Sequence, residues 1–131
     1  SPNMSFGMNL CFYISDMISK IVKADVHIHE IHHKAKKDAP SGSARLLKSI
    51  IEKNGLNVSL SWARLSDIVG EHFVIFAFEG EKITISHAAY NRDIFAKGAL
   101  DAFKWLLSKD RGLYNFSDIF NSIIRRGNLD D

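Results

Sequence analysis

From Ser5 to Lys23 the apolar residues Leu10, Ile14, Met17, Ile18 and Ile21 recur at helical spacing, predicting an amphipathic helix with these side chains inward. Asp25 to His33 is rich in Val, Ile and His and predicts a strand, although Glu30 falls on the face of Val26 and Ile28. Lys34 to Pro40 is a polar loop, and Pro40 turns the residue before it away from helix. Ser41 to Lys53 predicts a second helix, with Leu46, Leu47, Ile50 and Ile51 on one face and Gly55 as its stop. Asn57 to Arg64 alternates as a strand. Residues 73–78 read FVIFAF, apolar on both faces; Gly80 makes a turn and Lys82 to Ala89 alternates, so these segments predict a hairpin. Asn91 is placed to cap a third helix running to about Leu107, with Phe95, Ala99, Ala102, Phe103 and Leu106 inward. Residues 121–131 read as a polar tail that frays.

This order predicts an α+β fold: one mixed sheet of about four strands with flanking helices, forming a single domain over residues 1–120. The helices are too few to cover both faces of FVIFAF, so sheets of several subunits are expected to pack together.

Composition narrows the class. The chain has 131 residues, room for one domain with a real core. Its net charge of +2 is too mild to argue for nucleic acid. The single cysteine, Cys11, excludes an intrachain disulfide and fits a reducing compartment. MNLCFYI is too short to span a bilayer and follows no basic segment, so the expected location is cytoplasmic. The chain opens on Ser1, and SPNMSFG reads as a loop entering a helix; a piece of a longer chain is the expectation.

The candidate chemistry sits in EIHHKAKKDAPSGSA, Glu30 to Ala44. A Ser-Gly-Ser at a helix start offers free backbone N–H groups in the positive end of the helix dipole, suited to a carboxylate or phosphate. Ser41 and Ser43 add hydroxyls, and Gly42 allows close approach. Taken alone, the tripeptide is better accounted for by plain N-capping by Ser41. The residues upstream tip the balance: Lys34, Lys36 and Lys37 raise the positive potential, and His32 and His33 suit proton transfer near neutral pH. A lysine crowded by other cations gives up its proton more readily, so it too is a candidate donor. On a persisting strand the two histidines point to opposite faces, one toward a ligand and one toward structure.

Other chemistries fit less well. His27, His29 and His33 share a strand face, but no cysteine or suitably spaced carboxylate joins them, so no metal is expected. No G-x-S-x-G is present for a serine hydrolase, and no aromatic platform interleaves the lysines for nucleic acid. No pair of the eight glycines has G-x-G spacing, so there is neither a dinucleotide fingerprint nor a P-loop.

EIHHKAKKDAPSGSA closely resembles the signature of the dihydrodipicolinate reductase family, E-x-H-H-x-x-K-x-D-A-P-S-G-T-A. SPNMSFGMN resembles the family's segment entering the first helix after its cofactor domain, RLSDIVGEH its R-x-G-D-I-V-G-E-H, and RDIFAKGAL the start of its last helix. The stretches run in the family's order from Ser1 to about Phe120. The resemblance implies an enzyme of lysine and diaminopimelate biosynthesis that reduces a cyclic imine dicarboxylate, dihydrodipicolinate, with NAD(P)H to tetrahydrodipicolinate. It implies that this chain is the substrate-binding and tetramerisation half, without the N-terminal dinucleotide-binding domain, and hence inactive by itself. By position, His32 matches the proposed general acid/base and Lys36 the proposed proton donor. His33, Ser41, Gly42 and Ser43 match substrate contacts, and Ser1, Pro2, Asn3 and Met4 match the segment at the nicotinamide end of the cofactor. The implied partners are a small dicarboxylate and further copies of the chain in a homotetramer, with neither nucleic acid nor membrane. The sequence departs from the family at Ser43, where Thr is usual, at Met4, where Phe is common, and at Ser66, where Gly is usual; none removes a proposed catalytic group. A non-catalytic carboxylate-binding or oligomerisation module of the same fold is the alternative.

Overall fold

The computed structural model describes residues 1–127. Helix α1 (Phe6–Ile21) starts at Ser5, whose hydroxyl accepts the Met8 amide at 3.1 Å. Strand β1 (Asp25–His32) leads through a loop with a cis Ala39–Pro40 peptide into α2 (Gly42–Lys53), and then into β2 (Val58–Arg64). Strands β3 (Gly70–Phe78) and β4 (Glu81–Ala89) form the expected hairpin across Gly80, followed by α3 (Asp93–Leu106) and α4 (Phe116–Arg126). The sheet order is β2-β1-β3-β4, with β1 and β2 parallel across the α2 crossover and the other pairs antiparallel. The fold is therefore α+β with a mixed four-stranded sheet.

Strict alternation selects the covered face. On β1 the buried residues are Val26, Ile28, Glu30 and His32, and on β3 they include His72, Val74 and Phe76. Met8 and Phe12 of α1 and Ala44, Leu47 and Ile51 of α2 complete this core. Glu30, which interrupts the apolar pattern in the sequence, keeps the period in space: toward one end the same face turns polar. The opposite face carries His27, His29, Phe73 and Ile75, which belong to neither apolar cluster. There His27 binds the hydroxyls of Ser59 and Ser61 at 2.7 and 2.8 Å, and His29 shares Ser61. Phe76 lies wholly on the covered face.

Two helices are rotated from expectation. The buried face of α1 is Met8, Asn9, Phe12, Ser15 and Ser19, whereas Met17 and Ile21 are exposed. Small serines allow close packing, and the C-cap residue of α2, Asn54, donates to Ser19 Oγ at 2.7 Å and to Asp16 Oδ1 at 3.0 Å. Leu10 instead packs in a second cluster built on Phe116, Ile119 and Phe120 of α4. Helix α3 begins at Asp93, whose amide Asn91 accepts at 3.0 Å. Phe103 and Leu106 are exposed; the docking side is Gly98, Ala102 and Trp105, at i, i+4 and i+7.

Helix α4 corrects the expected polar tail. A capping box starts it, with the Asn115 side chain accepting the Ser117 and Asp118 amides and the Asp118 carboxylate accepting the Asn115 amide. Phe116, Ile119, Phe120 and Ile123 then form an inward stripe that continues past residue 121. The end of the expected tail, residues 128–131, lies outside the described residues.

Between β2 and β3, Ser66 has φ of +45°, in the left-handed region that favours glycine. Its carbonyl accepts the Lys34 amide at 3.0 Å, and the Leu65 amide reaches the His32 carbonyl at 2.8 Å, so this loop extends the edge of β1.

Gly98 admits the backbone of the N-terminal segment: a Cβ there would lie 1.8 Å from the Met4 carbonyl oxygen. Gly98→Ala should therefore push α3 off residues 4–6 and cost about 1–3 kcal/mol. A thermal melt of the variant should fall by several degrees; an unchanged melt would show that α3 does not dock through this contact.

Candidate functional site

Glu30 is fully buried and its carboxylate is saturated with donors. Arg64 binds it with both terminal nitrogens, Nη1 to Oε2 and Nη2 to Oε1, each at 2.9 Å. The Ser41 amide donates to Oε1 at 2.9 Å, and His32 Nδ1 lies 2.5 Å from Oε2. Burial by itself would push the Glu30 carboxyl up, but the bonds from Arg64, His32 and Ser41 outweigh it and hold the group below its ordinary value. One ionised carboxylate thus ties together β1, β2, His32 and the start of α2.

This arrangement assigns the hydrogen on His32. Glu30 is acceptor-only, so Nδ1 is the donor and Nε2 is the nitrogen left to gain or lose a proton. Burial lowers the pKa of His32, against the raising influence of Glu30, while Lys36 and Arg64 add to the lowering. The Nε2 edge lies over Gly70, where a Cβ would stand 2.9 Å away, so the ring occupies space that only a glycine leaves. His72 meets His32 edge-on, with ring centroids 5.2 Å apart. It is held neutral, its pKa pushed down to about 3, mainly by burial and then by the charge of His32.

The loop and the helix start complete the site. Lys36 is half-buried and paired with Asp38 at 2.8 Å, and its amide bonds to the His33 carbonyl at 3.1 Å. Arg64 Nη2 also donates to the Asp38 carbonyl at 2.7 Å, linking the loop to the buried carboxylate. His33 is half-buried beside these residues in the chain. Ser41 is buried: its amide goes to Glu30, and its hydroxyl takes the Ala44 amide at 3.2 Å. It therefore builds the helix start from behind. The Gly42 and Ser43 amides follow it in the first turn and carry no hydrogen bond, and Gly42 faces open space. Asn3 donates to Ser43 Oγ at 3.0 Å and accepts the Ser5 amide at 2.8 Å, while Ser1 reaches Asn9 at 3.1 Å. The N-terminal segment is thus brought to the start of α2. Pro2 is exposed, and the Met4 side chain turns away into the cluster under α4.

Three contributors carried no individual role in the sequence reading: Arg64, Gly70 and His72. Two signals were present: Glu30, a charge on an apolar face that demands a partner without naming it, and the stretch RLSDIVGEH, which contains all three residues at positions shared with the family's R-x-G-D-I-V-G-E-H. A cleft of about 350 Å³ beside His87 touches the N-terminal segment at Ser5 but is not lined by Glu30, His32, Lys36, Gly42 or Ser43.

Glu30→Gln keeps the shape but leaves the buried Arg64 guanidinium without a counter-charge, so the fold should lose about 3–5 kcal/mol. The linkage has the same sign. With its folded pKa depressed, Glu30 contributes stability above its unfolded value of about 4.3, lost as pH falls through the folded value. Urea midpoints of the variant should be low at pH 7 and depend less on acid; equal midpoints at pH 7 would refute the role of the carboxylate.

Comparisons with known proteins show which family the chain belongs to. The family model described as dihydrodipicolinate reductase, C-terminus, matches residues 7–120. A 4-hydroxy-tetrahydrodipicolinate reductase of Wigglesworthia glossinidia brevipalpis is 47% identical over 127 residues, covering 92% of this chain and 48% of the relative. The reductase of Aquifex aeolicus is 40% identical, covering 91% of this chain and 52% of its own. A dipicolinate-bound dihydrodipicolinate reductase from Paenisporosarcina sp. TG-14 shares the fold with a TM-score of 0.79 at 23% identity, over 91% of this chain and 53% of that one. The chain spans about half the length of these relatives. It belongs to the dihydrodipicolinate reductase family and corresponds to the C-terminal part of that family.

Proposed function

We propose that this chain is the substrate-binding and assembly half of a cytoplasmic reductase of lysine and diaminopimelate biosynthesis, acting on the cyclic imine dicarboxylate dihydrodipicolinate. The observation that carries the reading is one juxtaposition. Two unbonded amides, Gly42 and Ser43, open a helix whose preceding residue, Ser41, shares the Glu30 carboxylate with His32. A carboxylate of the substrate suits those amides and the field of the α2 dipole. His33 and Lys36 supply further positive or donating groups along its edge. Lys36 delivers a proton to the reduced ring, and His32 Nε2 exchanges protons with the site while Nδ1 stays on Glu30. The solved relative from Paenisporosarcina carries dipicolinate, a planar dicarboxylate of the kind the cradle suits.

NAD(P)H, when bound, supplies the hydride. Ser1, Pro2, Asn3 and Met4 offer an edge against it, with Asn3 held between Ser5 and Ser43. No G-x-G pair occurs in the sequence, so the chain by itself is inactive. A carboxylate-binding module without catalysis would use the same amides but would have no need of a histidine oriented by a buried carboxylate, and this favours the enzyme. The sheet face opposite α1 and α2, with half-buried Phe73 and Ile75, supports a homotetramer in which copies cover one another.

In a protein extended to the relatives' full length, His32→Ala and Lys36→Ala should each lower turnover about 10²–10⁴-fold. Near-normal turnover in both would leave the binding-module reading. In the chain itself, NMR titration with pyridine-2,6-dicarboxylate should shift Gly42 and Ser43 at millimolar ligand, with benzoate binding less well; unmoved amides would refute the cradle. For assembly, Ile75→Asp places a charge on the outer sheet face and should yield folded monomers in sedimentation, whereas Phe76→Asp strikes the covered core and should unfold the chain. A wild-type chain that is monomeric at high concentration would exclude the tetramer.

A further inference from the structure

His72 ends the stretch RLSDIVGEH and has no part in the chemistry described so far. It sits on β3 opposite Glu30 in the sheet register, and is buried. Its Nε2 lies 3.2 Å from Ser41 Oγ. The hydrogens there can be counted. Ser41 Oγ accepts the Ala44 amide, which uses an oxygen lone pair and leaves the hydroxyl hydrogen to be placed. Among the described residues the Ser41 hydroxyl has no acceptor other than His72 Nε2. That nitrogen therefore accepts, and the ring hydrogen sits on Nδ1, which is buried without a hydrogen-bond partner. A second proton on His72 would reverse the bond and strand the Ser41 hydrogen. The same ring stands edge-on to His32, at an interplanar angle of 77°.

We propose that His72 is a positioning residue for the substrate site: its Nε2 locks the Ser41 hydroxyl into the cap of α2. One side chain then sets the amides that hold a carboxylate. The proposal rests on the carboxylate-cradle reading of this site. The next strand supplies a control. His87 pairs with His72 in register, and its Nε2 lies 3.5 Å from Ser5 Oγ, the cap of α1, so it supports the other helix start.

The test uses this chain with His72→Phe and His72→Gln, each also combined with Ser41→Ala. Two quantities are read by NMR: hydrogen exchange of the Ala44 amide, and the pyridine-2,6-dicarboxylate affinity reported by Gly42 and Ser43. His72→Phe keeps an aromatic ring but removes the acceptor. It should weaken binding and speed Ala44 exchange by about fivefold, the worth of a typical cap. Gln places its side-chain oxygen near the position of Nε2 and should restore both to within about twofold of wild type. With Ser41→Ala present, the Phe change should add nothing. His87→Phe should leave Ala44 exchange unaltered. The proposal falls if His72→Phe matches wild type, if folded His72→Gln is as impaired as Phe, or if the Phe effect persists undiminished with Ser41→Ala. Should His72→Phe fail to fold, His72→Asn, too short to reach Ser41, replaces it with the same expected outcomes. If the wild-type chain itself does not bind the dicarboxylate, the substrate reading fails, and the Ala44 exchange series still decides the role of His72.

Discussion

A single ionised carboxylate buried on the covered face of a sheet dictates the construction of the polar end of this fold. Removing Glu30 from water is costly unless its oxygens are filled, and four donor atoms fill them. They belong to three residues, each answering a different requirement. Arg64 neutralises the charge and fastens the neighbouring parallel strand. The Ser41 amide fixes where α2 begins. His32 surrenders one nitrogen and is left with the other. The register of β1 with β2, the entry of the crossover helix and the tautomer of the imidazole are thereby one problem with one solution.

Around that carboxylate, the polar layer is kept low in net charge. His72 is neutral because burial makes a cation expensive there, and the charge of His32 adds to the cost. His87 is shifted the same way by burial. Each neutral ring touches the capping serine of a helix, His72 at Ser41 and His87 at Ser5, so both helices that cover the sheet start over the same strip of histidines. Asn3 bridges the two starts by donating to Ser43 and accepting from the Ser5 amide. The amides left over at the start of α2 are thus held by a rigid backing, which suits them to an anion arriving from outside.

The apolar end follows a different rule, that of close approach. Serines on α1 and Gly98 on α3 permit contacts that larger side chains would prevent, and they decide which stripe of each helix turns inward. The consequence is that larger apolar residues such as Met17, Ile21 and Phe103 remain at the surface, while the second sheet face presents Phe73 and Ile75.

Much of this was legible in the chain. Strand and helix periods are local properties of the backbone, so β1 to β4 and the first three helices could be read directly, as could the hairpin at Gly80. The capping box at Asn115 and the stripe from Phe116 to Ile123 were equally local, and were masked only by the polar residues interleaved with them. The histidine pair, Lys36 and the Ser-Gly-Ser helix start also lie within one short stretch, where neighbours in sequence must be neighbours in space. Tertiary structure alone decided the rest. Arg64 lies 34 residues from Glu30 and meets it because β1 and β2 pair in parallel register; His72 reaches Ser41 across a different strand. The inward faces of α1 and α3 were set by small residues, whose effect appears only when a partner surface is present to approach. Sequence period says which residues share a face, but which face is buried, and which distant side chain completes a buried charge, depends on contacts that do not exist until the sheet is assembled.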